Sequence, residues 1–382
     1  MSDNLCEELM VEILTRLPPK SLLRFRSVSK SLCSCIDTCI NSPDFIRMHT
    51  CRSPQRILLT HRVKRTLKYK RYRNAAFCTL HAKEQLPLPL SLCTTPVVLP
   101  RRKATPHGSC NGILLLSDAV YGCGNGNGVI SLWNPSIMRQ LTLPDCPLRR
   151  CSGGMAIGLG FDPITDDNKV VSIPAYGNTR ILKSSFVYAM KTGAWHPIDS
   201  PMPLYFKVLS RARYLNGVLH WVVERYSTDS NYIKLGYIMT FDLSSHVFGM
   251  LDLPKPSWKT QELATIQGSL AVISSVSNDS WIWVRGEAND SWSVVSKLKT
   301  EDGAELRKVL ELTNNGDLLL DVLLKKFYVY TPKTGALSTL ADFNDASSLV
   351  DMDAYVETLQ LFHIGTACEK ATPLFLQTSS FK

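Results

Sequence analysis

No apolar run in this chain approaches the roughly 18 residues that a membrane-spanning helix needs. Its apolar runs, such as Gly112 to Leu116 and Leu318 to Leu320, are strand-sized. A secretory leader would be basic and then continuously apolar, whereas the chain starts with Asp3, Glu7, Glu8 and Glu12. These absences predict a soluble protein of the nucleus and/or cytoplasm with no membrane association. The twelve cysteines include no C-x-x-C pair, and the closest grouping, Cys33, Cys35 and Cys39, lies within one predicted helix without a second ligand pair. Zinc sites want paired ligands at tight spacing, so reduced, mostly buried thiols and no metal are expected.

Catalytic signatures are missing as well. There is no P-loop, H-E-x-x-H or G-x-S-x-G. "GCGNGNG" at 122–128 precedes a strand-like "VISLWNP", where phosphate cradling would need the start of a helix. "GLGFDPITDD" reads as a turn, and His107, His196, His220 and His246 fall in different segments. The chain is therefore expected to be no enzyme and to carry no cofactor.

Acidic residues are nearly absent from one stretch. Residues 51–107 hold thirteen Lys/Arg against Glu84 alone, while 1–50 balance six against six and 108–382 hold 24 basic and 26 acidic residues. The whole excess of +10 sits in "HRVKRTLKYKRYRN" (61–74) and "PRRK" (100–103) and their surroundings. A basic run interleaved with tyrosines can contact nucleic acid or an import receptor. With no base-reading motif beside it, a solvated loop between strands is the favoured reading.

The first fifty residues read as helices. Leu5, Leu9, Ile13 and Leu17 recur at helical spacing, with Met10 and Leu14 widening the stripe, after a cap at Ser2 or Asp3. Pro18 and Pro19 end that helix because proline lacks the amide and clashes with the preceding turn. A short helix near Lys20–Arg24 and a third near Val28–Cys39 follow, then "SPDF" at 42–45 as another cap and turn. So small a unit cannot bury its own apolar stripe.

After about residue 55 the pattern turns to short β runs broken by Gly, Pro, Asn and Asp. One element recurs, a small-residue turn followed by an apolar strand: "CNGILLLS", "LNGVLHWVV", "IQGSLAVIS" and "NNGDLLLDV". Its glycines, 112, 217, 268 and 316, are 105, 51 and 48 apart, the first gap spanning two periods. Strands bearing Trp133, Tyr188, Phe241, Trp283 and Tyr330 step by 55, 53, 42 and 47. A period near fifty with four short strands per unit predicts a kelch-like β-propeller of six blades. "RILLTH" (56–61) and "AAFCTLH" (75–81) supply a degenerate first blade, and "YVETLQLFH" (355–363) is expected to close the ring. A two-sheet sandwich is the rival that this period disfavours.

A helical lead followed by such repeats resembles the plant F-box proteins with an F-box-associated interaction domain of the first type. The resemblance rests on "LCEELMVEILTRLPPKSLLRFRSVSKSLCSCI" and "SPDFIRMH" for the F-box. "GSCNGILLLSD", "LWNPSIMRQLTLP", "GLGFDPITDDNKVVSI", "FVYAMKTGAWHPI", "LNGVLHWV", "FDLSSHVFGMLDLP" and "YVETL" carry the associated domain, in the family's order. It implies an F-box over 1–48, a basic linker with the degenerate blade over 49–107, the propeller over 108–365 and a tail over 366–382.

The resemblance also implies a partner. An F-box is half of a shared core, completed by a Skp-family adaptor that leads to a cullin and a RING subunit, with the propeller capturing a protein target for ubiquitination. By resemblance the adaptor contacts fall on Leu5, Leu9, Ile13, Leu17, Pro18, Leu22 and Val28, with Leu14 and Leu32 internal. Two positions depart from the family: Cys6 stands where proline is usual and Leu32 where tryptophan is usual. The alternatives are a ligand-binding or enzymatic propeller with an incidental helical lead, which a polar cluster in the central channel would favour, and a nucleic-acid protein working through 61–74.

Overall fold

The computed structural model describes residues 7–63, 76–82, 97–100, 104–118, 128–150, 154–176, 184–202, 206–226, 234–255, 260–276, 279–286, 290–299, 306–311, 316–322, 326–339, 347–361, 364 and 366–367. Four helices come first: α1 (Glu7–Leu14), α2 (Pro19–Phe25), α3 (Lys30–Asn41) and α4 (Pro43–Arg52). Each boundary has a local cause. Pro18 and Pro19 end α1, and Pro19, whose missing amide costs nothing in a first turn, opens α2. The Ser29 hydroxyl accepts from the Leu32 amide at 3.1 Å to cap α3, and the Ser42 hydroxyl accepts from Phe45 at 3.4 Å to cap α4. Val28 lies outside any helix, and the helical unit runs on to Arg52, past residue 48.

Six antiparallel sheets follow. The first joins β1 (Gln55–Val63), β2 (Ala76–Ala82) and β3 (Val97–Val98) to β25 (Ser347–Val356). The second holds β4 (Thr105–Cys110), β5 (Ile113–Ser117), β6 (Ile130–Asn134) and β7 (Arg139–Thr142), with β26 (Thr366–Ala367) on its outer edge. The third is β8 (Met155–Asp162), β9 (Asp167–Pro174), β10 (Ser185–Ala189) and β11 (Ala194–Ile198). In the fourth, β12 (Phe206–Val208) and β13 (Arg213–Leu215) share one side of β14 (Val218–Tyr226), followed by β15 (Lys234–Asp242) and β16 (Phe248–Asp252). The fifth is β17 (Thr260–Ile266), β18 (Ser269–Val276), β19 (Asp279–Arg285) and β20 (Trp292–Lys299). The sixth is β21 (Leu306–Glu311), β22 (Leu318–Val322), β23 (Lys326–Thr331) and β24 (Ala336–Thr339).

The innermost strands touch in the order β4, β8, β13, β17, β21, β25 and back to β4, which closes a six-bladed propeller. Its core explains the continuous apolar runs. Ile113 and Leu115 pack against the third blade, while Leu114 and Leu116 pack against the first. Val170 faces the second blade, and Val171 and Ile173 face the fourth. A strand alternates its side chains between two faces, and in a ring both faces are covered by neighbours.

The Asn-Gly turns follow from backbone chemistry. Asn111 and Gly112 both have positive φ (48° and 76°), as do Asn216 and Gly217 (46° and 83°), the turn type that matches strand twist. The double-period gap before Gly217 holds the third blade's turn at Pro163–Asp166, where Asp166 (φ 50°) takes the left-handed position instead of a glycine.

The ring closes through a late strand, as expected, but that strand has other bounds. The pairing strand ends at Val356, so only the first two residues of "YVETLQLFH" belong to it, and most of β25 lies upstream. Residues 357–361 leave the sheet because Asn134 holds them. Its Nδ2 donates to the carbonyls of Thr358 (2.9 Å) and Gln360 (2.8 Å), while its Oδ1 accepts from the Ser136 amide (2.9 Å). Thr366–Ala367, expected in a tail, pair with Gln140 and Arg139 instead.

Asn134→Ala should destabilise the protein by about 1–3 kcal/mol, because it leaves buried carbonyls without donors; the urea-unfolding midpoint reports it. Acid should also unfold the ring early. Burial pushes His61 and His107 down to about 3 and His81 and His220 down to about 4. The unfolded chain binds protons at these histidines near pH 6.5 and the folded chain does not. Their contribution to stability is present above that pH and is lost as pH falls from about 6.5 towards 4 and 3, which unfolding midpoints across that range will show.

Candidate functional sites

The helical unit has a core of its own, in which Leu14, Leu22, Ile36, Ile40 and Phe45 are buried together. His49 ties α4 to the end of α1: its Nε2 lies 2.8 Å from the Leu17 carbonyl, and burial lowers the ring's pKa, so the neutral ring donates there. Arg26 donates two hydrogen bonds to Asp37, at 2.6 and 3.1 Å, and fixes α2 against α3. Arg52 reaches back from α4 to Glu12 at 2.7 Å.

Two propeller residues complete that core, Ile137 from the turn between β6 and β7 and Leu359 from the closing segment. The Thr50 and Thr358 hydroxyls lie 2.9 Å apart, and Arg56 pairs with Glu357 at 3.0 Å. The ring therefore covers one side of the helices. Another side stays open: Leu9 is 48% exposed, Ile13 41%, Phe25 40%, Val28 69% and Met48 42%. Such a density of large exposed apolar side chains on so small a unit marks an interaction surface.

The expected contact residues separate accordingly. Leu9, Ile13, Pro18 and Val28 are exposed, Leu17 is half-buried against the helical core, and Leu5 lies outside the described residues. Leu22 is wholly buried and belongs to the core. It faces inward, into the core it shares with Leu14 of α1, Ile36 and Ile40 of α3 and Phe45 of α4. Phe25 and Met48 join the exposed set without having been expected there, and Leu32 packs partly buried on the core, as an internal residue would.

A second site lies on the ring axis. Arg211 and Arg213, Glu262, Lys308, Asp353 and His107 line a small recess open to solvent. Asp351 stands between Arg211 and Lys308, whose Nζ donates to it at 2.5 Å. Burial alone would raise the Asp351 carboxyl, but Lys308 and then Arg211 outweigh it and hold it at about 2. A carboxylate so held is a poor base, and among the described residues no group of three or more His, Cys, Asp or Glu could hold a metal ion. A polar cluster does occupy the channel, as the ligand-binding alternative requires, yet this arrangement is fitted to recognition by charge.

Propellers usually bind through loops on one face of the ring, here around 119–128, 174–182, 224–232 and 275–280; of these, 119–127, 177–182, 227–232 and 277–278 lie outside the described residues, as do 64–74 of the basic run. No described helix is long and apolar enough to cross a membrane.

Comparison with known proteins bears on both sites. Residues 68–334 match the family model described as the F-box associated beta propeller domain, and residues 2–42 match the F-box domain. The chain belongs to the F-box proteins that carry this propeller. In Arabidopsis thaliana, F-box protein CPR1 is 24% identical, covering 93% of this chain and 88% of the relative. F-box protein At3g07870 is 24% identical, covering 88% and 87%, and F-box protein At5g18160 is 26% identical, covering 76% and 69%. The solved Dos1 propeller aligns over 76% of both chains at 10% identity and a TM-score of 0.38, too distant a likeness to carry an argument.

Core and exposed positions of the F-box should respond oppositely to substitution. Leu22→Ala should destabilise the helical unit by about 2–5 kcal/mol, whereas Leu9→Asp and Ile13→Asp should stay within about 0.5 kcal/mol of wild type. Thermal unfolding of the three variants distinguishes the two classes.

Proposed function

We propose that the chain is the substrate receptor of a Skp-cullin-F-box ubiquitin ligase. The observation that carries this reading is the open apolar side of the F-box at Leu9, Ile13, Pro18, Phe25, Val28 and Met48, on helices whose other side is already occupied by the ring. A Skp-family adaptor presenting apolar helices completes that surface as a helix in a groove, and through it the receptor joins the cullin and RING subunits.

The receptor works without a catalytic group of its own. It holds a target protein near the charged ubiquitin-conjugating enzyme and so raises the effective concentration of target lysines. Only Ser53 and Pro54 separate α4 from β1, and the contacts at Thr50, Ile137 and Leu359 fix the helices on the blades. The site of action is the nucleus and/or cytoplasm.

Co-purification tests this directly. The full chain should bring down a co-expressed Skp-family adaptor, and Leu9→Asp or Ile13→Asp should abolish this, since a buried unpaired charge costs several kcal/mol. Retention of the adaptor by folded forms of both variants would refute the assigned face.

A further inference from the structure

The channel charges come from the inner strands of four blades, so their meeting is a property of the closed ring. Arg211 precedes β13 and Arg213 lies in it, Glu262 in β17, Lys308 in β21, and Asp351 and Asp353 in β25. Asp351 is fully engaged: Lys308 and the Met352 amide donate to Oδ1, and Arg211 donates to Oδ2. Lys308 spends one of its three ammonium protons there. Arg213 is held far more loosely. Its three contacts, to the Asp353 carboxylate and twice to the Leu263 carbonyl, are all 3.4 Å long, beyond the usual 2.7–3.2 Å of an N–H to oxygen bond. Asp353 meanwhile accepts from the Ala354 amide at 3.0 Å. Glu262 lines the recess with no hydrogen-bond or ion-pair partner among the described residues.

The slack on this wall lies at one donor, Arg213, whose three contacts are all 3.4 Å long. The three cations stand against Asp351 and Asp353, with Glu262 as the balance. Burial raises the Glu262 carboxyl above the usual range despite Lys308, Arg211 and Arg213 nearby. An incoming cation would join three others with only Glu262 to receive it. An incoming carboxylate finds a guanidinium with unspent donors, and the fork of arginine matches the two oxygens of a carboxylate.

We infer that the axial recess captures a carboxylate of the target protein, an acidic side chain or a chain terminus, with Arg213 and Lys308 as its donors. This rests on the substrate-receptor reading for the source of the carboxylate, and the shared chemistry extends to small free dicarboxylates, which the test separates.

The experiment uses the full chain with its adaptor and a short fluorescein-labelled peptide rich in Asp and Glu, read by fluorescence anisotropy. The acidic peptide should bind, and its Asn/Gln counterpart should bind at least about tenfold more weakly. Arg213→Gln should weaken the acidic peptide by about tenfold or more, while Glu262→Gln, which removes a like charge without changing shape, should tighten it. Because the two variants move in opposite directions, a general loss of folding cannot imitate the result. Equal binding of both peptides, or undiminished binding by an Arg213→Gln protein that melts like wild type, overturns the inference. If Arg213→Gln does not fold, unchanged or weaker binding by Glu262→Gln overturns it alone. Succinate should compete only at far higher concentration than the peptide, and equal potency overturns the protein source. Ile13→Asp should leave peptide binding intact and Arg213→Gln should leave adaptor binding intact. A failure here with the adaptor retained therefore counts against the carboxylate site and not against the receptor.

Discussion

Seven residues, Tyr355 to Leu361, hold the molecule in its working arrangement. The Tyr355 hydroxyl lies 2.7 Å from that of Ser136 in the second blade, and Glu357 receives Arg56 of β1. Thr358 meets Asn134 through its carbonyl and Thr50 of α4 through its hydroxyl. Leu359 enters the helical core, the Gln360 side chain accepts from Asn168 of β9, and Leu361 packs between the second and third blades. One short segment thus joins three blades to one another and to the helices. Beyond Val356 the segment has left the sheet, so the carbonyls of Thr358 and Gln360 have no ladder to satisfy them; Asn134 supplies the donors instead. Gly112 makes room for it, since a Cβ there would come within 2.3 Å of the Val356 carbonyl and 2.6 Å of Thr358.

The need for such a segment comes from the blades themselves. Each buries both faces against its neighbours, so an open row of five or six blades would end in two apolar surfaces. Pairing the chain's late strand β25 with its early strand β1 removes both ends at once. The same pairing brings Asp351 and Asp353 of β25 opposite the arginines of the fourth blade and Lys308 of the sixth. Closure and the channel's charge are therefore one event. The cost of placing charges on the axis is met by pairing them, and the pairs are imperfect at Arg213, where the geometry leaves capacity for a ligand.

Much of this was readable in the chain because it is written in local chemistry. The Asn-Gly turns, the doubled apolar runs and the Pro18–Pro19 break each follow from two or three residues. What was not readable depends on the meeting of distant segments. Leu22 and Leu9 are both leucines in an apolar stripe, and only the packing of the four helices around a shared core buries one and leaves the other exposed. "YVETLQLFH" alternates like a strand throughout, yet hydrogen bonds from Asn134, more than two hundred residues away, end it at Val356. The polar inner strands gave no pattern at all, since residues 211, 213, 262, 308, 351 and 353 share no spacing and become neighbours only around a common axis. The third blade's turn escaped the glycine count because Asp166 takes the same left-handed conformation that glycine takes elsewhere.

On the proposed reading, the docking of the helices also bears on how a substrate receptor would work. Proximity raises local concentration most when the span between two sites is fixed near the distance required, and a long flexible connection dilutes the effect. Here the connection is Ser53 and Pro54, and the helices share Ile137 and Leu359 with the ring, so the F-box core is incomplete without the propeller. The apolar area spent on that joint is unavailable to an adaptor, which explains why the unit's exposed side is confined to α1, the ends of α2, the segment before α3 and Met48 of α4. A chain that stabilised its helices more fully against the ring would gain rigidity by closing the surface a partner needs. One that docked them less would keep the surface but lose the fixed geometry. The observed split, with one side of the helices sealed by two propeller side chains and another left open, satisfies both demands with the same four helices.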